Sequence, residues 1–146
     1  MVSEQNNKQL ASDLRTVVSR LVKKLRHKSA SGEKLSLTER STIALLDQHK
    51  ELLPSELAVM EKITTQSMSQ VLNHLLDLDY ITRRVSDADK RKVIISLSKT
   101  GQSVLHKMRN ERDEWLNNAL INACSTRDQD TLRRAIGPLT RLVDFD

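Results

Sequence analysis

The chain has 146 residues, 24 Lys plus Arg against 19 Asp plus Glu and a formal net charge of +5, which is one domain's length and enough to bury a core without metal or disulfide staples. A single cysteine, Cys124, excludes a disulfide framework and a cysteine-rich zinc site, three glycines and two prolines are too few turn formers for an all-β fold, and Tyr80, Trp115 and Phe145 are too few aromatics for a base-stacking platform. With no secretory leader pattern and no run near the roughly 20 apolar residues of a membrane span, a cytoplasmic, mainly helical protein with no membrane partner is expected.

Residues 1–8 are polar and are expected to fray. From Leu10, the apolar residues Leu14, Val17, Val18, Leu21, Val22 and Leu25 recur every three or four positions, the spacing of one stripe along a helix. The rest of that helix carries Arg15, Arg20, Lys23, Lys24, Arg26 and Lys28 with no acid among them. Two readings stay open: a solvated face whose cations complement the helix C-terminus, or a face that approaches a polyanion. Ser29-Ala30-Ser31-Gly32 stops the helix. Thr38 is the expected cap of a second helix, with Glu39 in its first turn, Leu45 and Leu46 inward and an end near His49-Lys50. Pro54 suits the first position of a short third helix, because its missing N–H needs no partner there. Leu57, Ala58 and Met60 are its apolar contacts, and Lys62-Ile63 reads as a turn.

Thr64 is the expected cap of a fourth helix from Thr65 to about Leu78, with Met68, Val71, Leu72, Leu75 and Leu78 inward. The opposite face holds Thr65, Gln66, Ser67, Ser69, Gln70, Asn73 and His74. It is uncharged, where an ordinary solvated face would more often carry Lys and Glu, the better helix formers. Such a face fits plain surface or base-edge recognition, since neutral donors and acceptors bring no carboxylate against phosphate.

The period then changes. Tyr80–Val85 and Val93–Leu97 are β-compatible, and Ser86–Lys92 is a polar turn between them, so a hairpin is predicted. Residues 82–92 hold five basic and two acidic side chains. Ser98 can cap a long fifth helix running through Gly101, Met108 and Trp115 to Ala123, with Cys124 on an apolar-rich face. Gly101 costs helix propensity and would allow close packing. Ser125–Asp128 breaks that helix, and a last one carries Leu132, Ile136, Leu139, Leu142 and Val143, with Gly137-Pro138 expected to interrupt or bend it.

A short helix, a tight turn, a polar-faced helix and a basic hairpin, in that order, have the layout of a helix-turn-helix followed by a wing. Leu37-Thr38, Glu56-Leu57-Ala58, Thr64 to Leu75, Ile81-x-Arg83, Asp87-x-Asp89-Lys90-Arg91 and Leu97-Ser98-x-x-Gly101 together resemble the MarR-type winged helix-turn-helix regulators. The sequence motifs cover roughly residues 37–101, and the element order covers nearly the whole chain.

The resemblance implies a mainly α fold with a small β-hairpin. It implies one domain over 1–146, with a DNA-binding lobe at 37–100 and dimerisation helices at 9–28 and 101–144. It further implies a homodimer that binds a pseudo-palindromic operator in double-stranded DNA, with repression the expected effect. A small aromatic or phenolic effector is a partner that the family allows, and no cofactor or metal is implied. Carried residue by residue, Thr65, Gln66, Ser67, Ser69, Gln70 and Asn73 fall on the reading helix. Arg91 falls at the wing arginine and Asp89 at the carboxylate that orients it, with Arg83, Arg84, Lys90 and Lys92 as backbone anchors. Three departures stand out: Leu53 replaces a capping threonine, Asp79 a common glycine before the strand, and Lys90 an often-seen arginine.

The terminal helices carry more apolar surface than a winged-helix core ending near residue 100 needs, and either that core or a two-fold partner would cover it. No enzyme is expected. His27, His49, His74 and His106 form no H-x-x-x-H or H-E-x-x-H pair, and neither G-x-x-x-x-G-K-[ST] nor G-x-G-x-x-G occurs. Packing is the expected role of Cys124, which lies far from the first helix, where the family's peroxide sensors carry their reactive thiol. Two other readings are weaker: an interaction module needs no Asp89–Arg91 pair, and double-stranded RNA would leave the polar helix face unexplained.

Overall fold

In the computed structural model, which describes residues 2–146, the first helix begins well before the apolar stripe: α1 spans Val2–Arg26. The polar start is helical, not frayed, because it carries its own supports. Glu4 sits in the first turn and pairs with Lys8 at 3.5 Å, and Gln9 donates to Asp13 at 3.0 Å. A 3-10 turn at Ala30–Gly32 follows. α2 runs Leu37–His49, and its cap is Ser36 and not Thr38. The Ser36 hydroxyl accepts the Glu39 amide at 3.1 Å while Glu39 accepts the Ser36 amide at 2.8 Å, a reciprocal pair that Thr38 has no glutamate to form.

α3 (Pro54–Glu61), α4 (Thr65–Asp77), α5 (Lys99–Ala123) and α6 (Thr126–Val143) match the expected helices within a residue or two. The expected hairpin forms from β2 (Ile81–Val85) and β3 (Val93–Leu97), but it belongs to a three-stranded antiparallel sheet. The extra strand, β1 (Glu51–Leu52), pairs with β3 through Glu51↔Ser96 and Leu52↔Ile95, giving the order β1-β3-β2. A two-residue strand is too short for any periodicity to announce it.

The chain forms two compact units, one of Ser29–Asn110 and one of the chain up to Lys28 together with Glu111–Asp146. In the first, α2, α3 and α4 pack with the sheet around Ile43, Leu46, Leu57, Met68, Leu75, Ile95 and Met108, each nearly inaccessible to solvent. The second is built from α1, α6 and the later turns of α5, and none of its described residues is buried. In it the Lys24 and Lys28 ammonium groups lie 5.6 and 5.4 Å from the Trp115 ring centroid. Cys124 is half-buried at the bend between α5 and α6 and not on a helix face, because Ser125 and Asp128 cap α6 directly after it. α6 continues through Pro138 without interruption, since proline withdraws a single amide and the turns on either side keep theirs.

Candidate nucleic-acid interface

The Ser29–Asn110 unit turns sharply between α3 and α4. Lys62 takes a left-handed conformation with φ 57°, its amide reaching Val59 O at 3.1 Å and the Ile63 amide reaching Ala58 O at 3.0 Å. Thr64 then caps α4, its hydroxyl accepting the Ser67 amide at 3.0 Å. At the start of α3, leucine supplies no side-chain acceptor, and the Glu56 carboxylate instead accepts the Leu53 amide at 2.9 Å. A short helix, a tight turn and a capped second helix are therefore all present.

α4 buries Met68, Leu72 and Leu75. At 3.6 residues per turn, Gln66, Gln70 and Asn73 project from the opposite side. All three are exposed, and none of their side-chain amides makes a hydrogen bond to another described residue. The neighbouring hydroxyls are engaged: Thr64 donates to Ser67 Oγ at 2.9 Å, and Ser69 donates to Thr65 O at 3.0 Å. Thr65 is exposed in the first turn. Of the six expected reading residues, three thus present free amides with both donor and acceptor capacity.

The hairpin register places Ile81, Arg83 and Val85 on one face of β2 and Thr82 and Arg84 on the other. Arg83 shares a small groove with Ser69 and Asn73 of α4. Arg84 reaches across β3 to Glu51 at 2.8 Å, an ion pair that raises the guanidinium above its ordinary pKa. At the tip, the Ser86 amide donates to Lys92 O at 2.9 Å and the Lys92 amide to Asp89 O at 2.9 Å, closing the turn. Asp89 accepts from Arg91 three times, from its amide and Nε at 3.1 Å and from Nη2 at 3.2 Å. That side chain and amide, with help from Lys92, hold the Asp89 carboxyl below its ordinary pKa. The Arg91 side chain stays 90% exposed, so it is aimed but not consumed. Lys90 and Lys92 flank it, also exposed.

The base of the wing is fixed by the turn before β2. Asp79 adopts φ 65°, doing what glycine would do, with the Asp79 amide on Leu76 O at 2.9 Å and the Tyr80 amide on Leu75 O at 3.0 Å. Ser98 donates to Asp79 O at 2.6 Å and accepts the Gly101 amide at 2.9 Å. A Cβ on Gly101 would sit 1.9 Å from Tyr80 O, so the close packing expected of this glycine is obligatory.

Two polar contacts join residues far apart in the sequence. Glu51 lies in a strand too short to see. Glu39 is buried, and its second carboxylate oxygen meets Nδ1 of His74 on α4. Burial pulls the Glu39 carboxyl up, but bonds from the Ser36 amide, His74 and the Ser36 hydroxyl outweigh it and leave the group below its ordinary pKa. The Ser36-x-x-Glu39 spacing was a legible signal for the capping half of this arrangement.

Known proteins bear out this architecture. The MarR family pattern matches residues 34–92. An uncharacterized HTH-type transcriptional regulator of Mycobacterium leprae is 32% identical over 135 residues, covering 92% of this chain and 93% of the relative. An HTH-type transcriptional regulator of Mycobacterium tuberculosis is 33% identical over the same shares. Among solved structures, a transcriptional regulator from Pseudomonas aeruginosa PA01 superposes with a TM-score of 0.80 at 28% identity, covering 96% of this chain and 98% of that one. A mutant of Escherichia coli MarR complexed with operator DNA gives 0.61 at 14% identity, covering 90% and 93%. A mutant of Staphylococcus aureus MepR bound to an oligodeoxyribonucleotide gives 0.71 at 18%, covering 92% and 97%.

Proposed function

This chain belongs to the MarR family of transcriptional regulators, and on that premise we propose that it is a homodimeric repressor of a pseudo-palindromic operator in double-stranded DNA. The observation that carries this reading is the pairing of an exposed, unengaged Gln66–Gln70–Asn73 face with a wing arginine oriented by Asp89. A helix in the major groove can use those amides on base edges, an amide pairing well with adenine N6 and N7. Arg91 would enter the flanking minor groove, where narrow A·T-rich segments concentrate negative potential. Thr65, Ser67 and Ser69 would line the helix's approach, and Arg83, Lys90 and Lys92 would neutralise phosphates. Arg84 is the least available of the proposed anchors, because Glu51 holds it.

The dimer is supported by the exposed apolar side chains of the terminal helices, among them Leu10, Val17, Leu21, Ile121, Leu132 and Ile136. Two-fold symmetry in the protein would then be mirrored in the operator, with half-sites about one helical turn or a multiple of it apart. Repression, a cytoplasmic location and release by a small aromatic or phenolic effector rest on the family alone. The test is selection of bound fragments from random double-stranded DNA by the purified protein. Enrichment of an inverted repeat is the expected result. Recovery of unenriched DNA, with affinity no better than that of an unrelated basic protein, overturns the reading. A reporter fused to the selected operator then decides repression, and its induction by phenolic compounds decides release.

A further inference from the structure

A carboxylate in a helix-capping pair needs one oxygen, and it is ordinarily exposed. Glu39 departs from both habits. Its Oε1 accepts the Ser36 amide at 2.8 Å, which completes the cap of α2. Its Oε2 is committed elsewhere, to Nδ1 of His74, and the carboxylate side chain is only 8% exposed while the imidazole is 46% exposed. An ionised carboxylate is an acceptor only, so Nδ1 must carry the proton and donate. Leaving such a carboxylate half-satisfied in a buried place is costly, so the second bond is strongly specified.

The bond ties two particular elements. Glu39 belongs to the first turn of α2, and His74 to the third turn of α4, one residue beyond Asn73. The apolar contacts of Met68, Leu72 and Leu75 hold α4 against the core, but they are non-directional and tolerate a small roll of the helix about its axis. A roll carries Gln66, Gln70 and Asn73 sideways, and hydrogen bonds to base edges do not survive displacements of that kind. A directional bond on the flank of α4 opposes the roll.

We propose that His74 is a positioning residue for base recognition: through its bond to the buried Glu39 carboxylate it fixes the rotation of α4 and so the placement of Gln66, Gln70 and Asn73. It touches no base itself. The proposal rests on the DNA-binding reading above, and its experiment separates the two.

His74→Leu removes the donor at a half-exposed site. His74→Asn keeps a donor on the same Cγ, at the place of Nδ1. Each is compared with the wild-type protein in two measurements: amide hydrogen exchange along α4, and affinity for the duplex that wild-type protein selects from a random pool against a scrambled duplex. In the leucine variant α4 amides are expected to exchange faster. Its preference for the selected duplex should fall about tenfold, a part of the discrimination that well-placed base contacts carry. Its affinity for the scrambled duplex should hold, because phosphate contacts tolerate a small roll. The asparagine variant should recover both quantities, which generic packing at this position would not produce. Wild-type exchange and preference in the leucine variant overturn the inference, and so does an asparagine variant no better than leucine. Wild-type protein that prefers no duplex overturns the DNA reading, and the exchange measurement, which needs no DNA, then decides the tether by itself.

Discussion

The two units of this chain spend their apolar residues in opposite ways. Among the described residues every buried apolar one, from Leu35 to Met108, lies in the Ser29–Asn110 unit, which closes a core of its own around three helices and a sheet. The terminal unit buries none of its described residues, yet it exposes Val17 at 58%, Ile121 at 63%, Ile136 at 62% and Val143 at 82%. Exposed aliphatics scattered singly need no explanation, but α1 and α6 each carry a run of them, which water does not favour. The contrast teaches where self-sufficiency ends. The lobe with the candidate interface closes a core of its own, whereas the terminal helices leave apolar surface open, which is the surface that the proposed two-fold partner would cover.

The most damaging test of that contrast is a charge in the terminal stripes. Leu21→Asp combined with Ile136→Asp should convert the proposed dimer of about 33 kDa, twice the chain's 16.6 kDa, into monomer in sedimentation equilibrium. Operator affinity should fall about a hundredfold, because one half-site is then held without the other. A double variant that still sediments as a dimer would break the comparison. The complementary test strikes the lobe. In Gly101→Ala the new methyl meets the Tyr80 carbonyl oxygen, which belongs to backbone and cannot swing away. Thermal melting should show a loss of about 1–3 kcal/mol of stability, with the dimer mass unchanged at low temperature.

The wing sharpens the comparison further, since the lobe also carries the proposed contact with the minor groove. Arg91→Ala should weaken operator binding about tenfold in fluorescence anisotropy and leave the melting temperature in place, because the side chain is exposed and, among the described residues, bonded only to Asp89. Asp89→Ala should cost the same or less, since it removes the orienting group and not the contact. Unchanged affinity in Arg91→Ala would take the wing out of the mechanism.

How far the sequence could be read follows from the range of the physics. The α4 cap at Thr64, the turn at Lys62-Ile63, the Pro54 start and the Ser98 cap of the Gly101 amide are set by neighbours within a few positions, and each is found where local chemistry puts it. The Asp89–Arg91 bond is local in the same way. What escaped was either supported from outside the pattern or distant. The polar start of α1 is held by i,i+4 pairs and carries no apolar stripe. Thr38 lies inside α2 and not at its cap because Ser36-x-x-Glu39, one turn's spacing of hydroxyl and carboxylate, closes the reciprocal pair first. β1 exists only because β3 offers it a ladder, and Glu39–His74 and Glu51–Arg84 join residues more than 30 positions apart. No periodicity registers a bond of that range. The same limit applies to the reading face: seven polar residues looked alike in one dimension, and helix geometry with local hydroxyl bonds separates three free amides from the rest.

The smallest expected effect tests that last kind of resolution. Arg83 and Arg84 are adjacent and chemically identical, and both are expected as backbone anchors. The strand does: Arg83 lies on the face with Ser69 and Asn73, while Arg84 turns to the opposite face and meets Glu51. A cation that neutralises a phosphate releases a counterion, so removing it lowers the slope of log affinity against log salt by about 0.9. Arg83→Ala should show that change. Arg84→Ala should leave the slope as it is, with affinity within about threefold of wild type, because its charge is already balanced by the Glu51 carboxylate on β1, across β3. Glu51→Gln then provides the internal check. With the carboxylate gone, Arg84 becomes an unbalanced cation beside the wing, and affinity at low salt should rise slightly if DNA binds on this side of the molecule. Equal slopes for Arg83→Ala and Arg84→Ala, both below wild type, would mean that the Glu51 pair opens on binding and that both arginines reach phosphate.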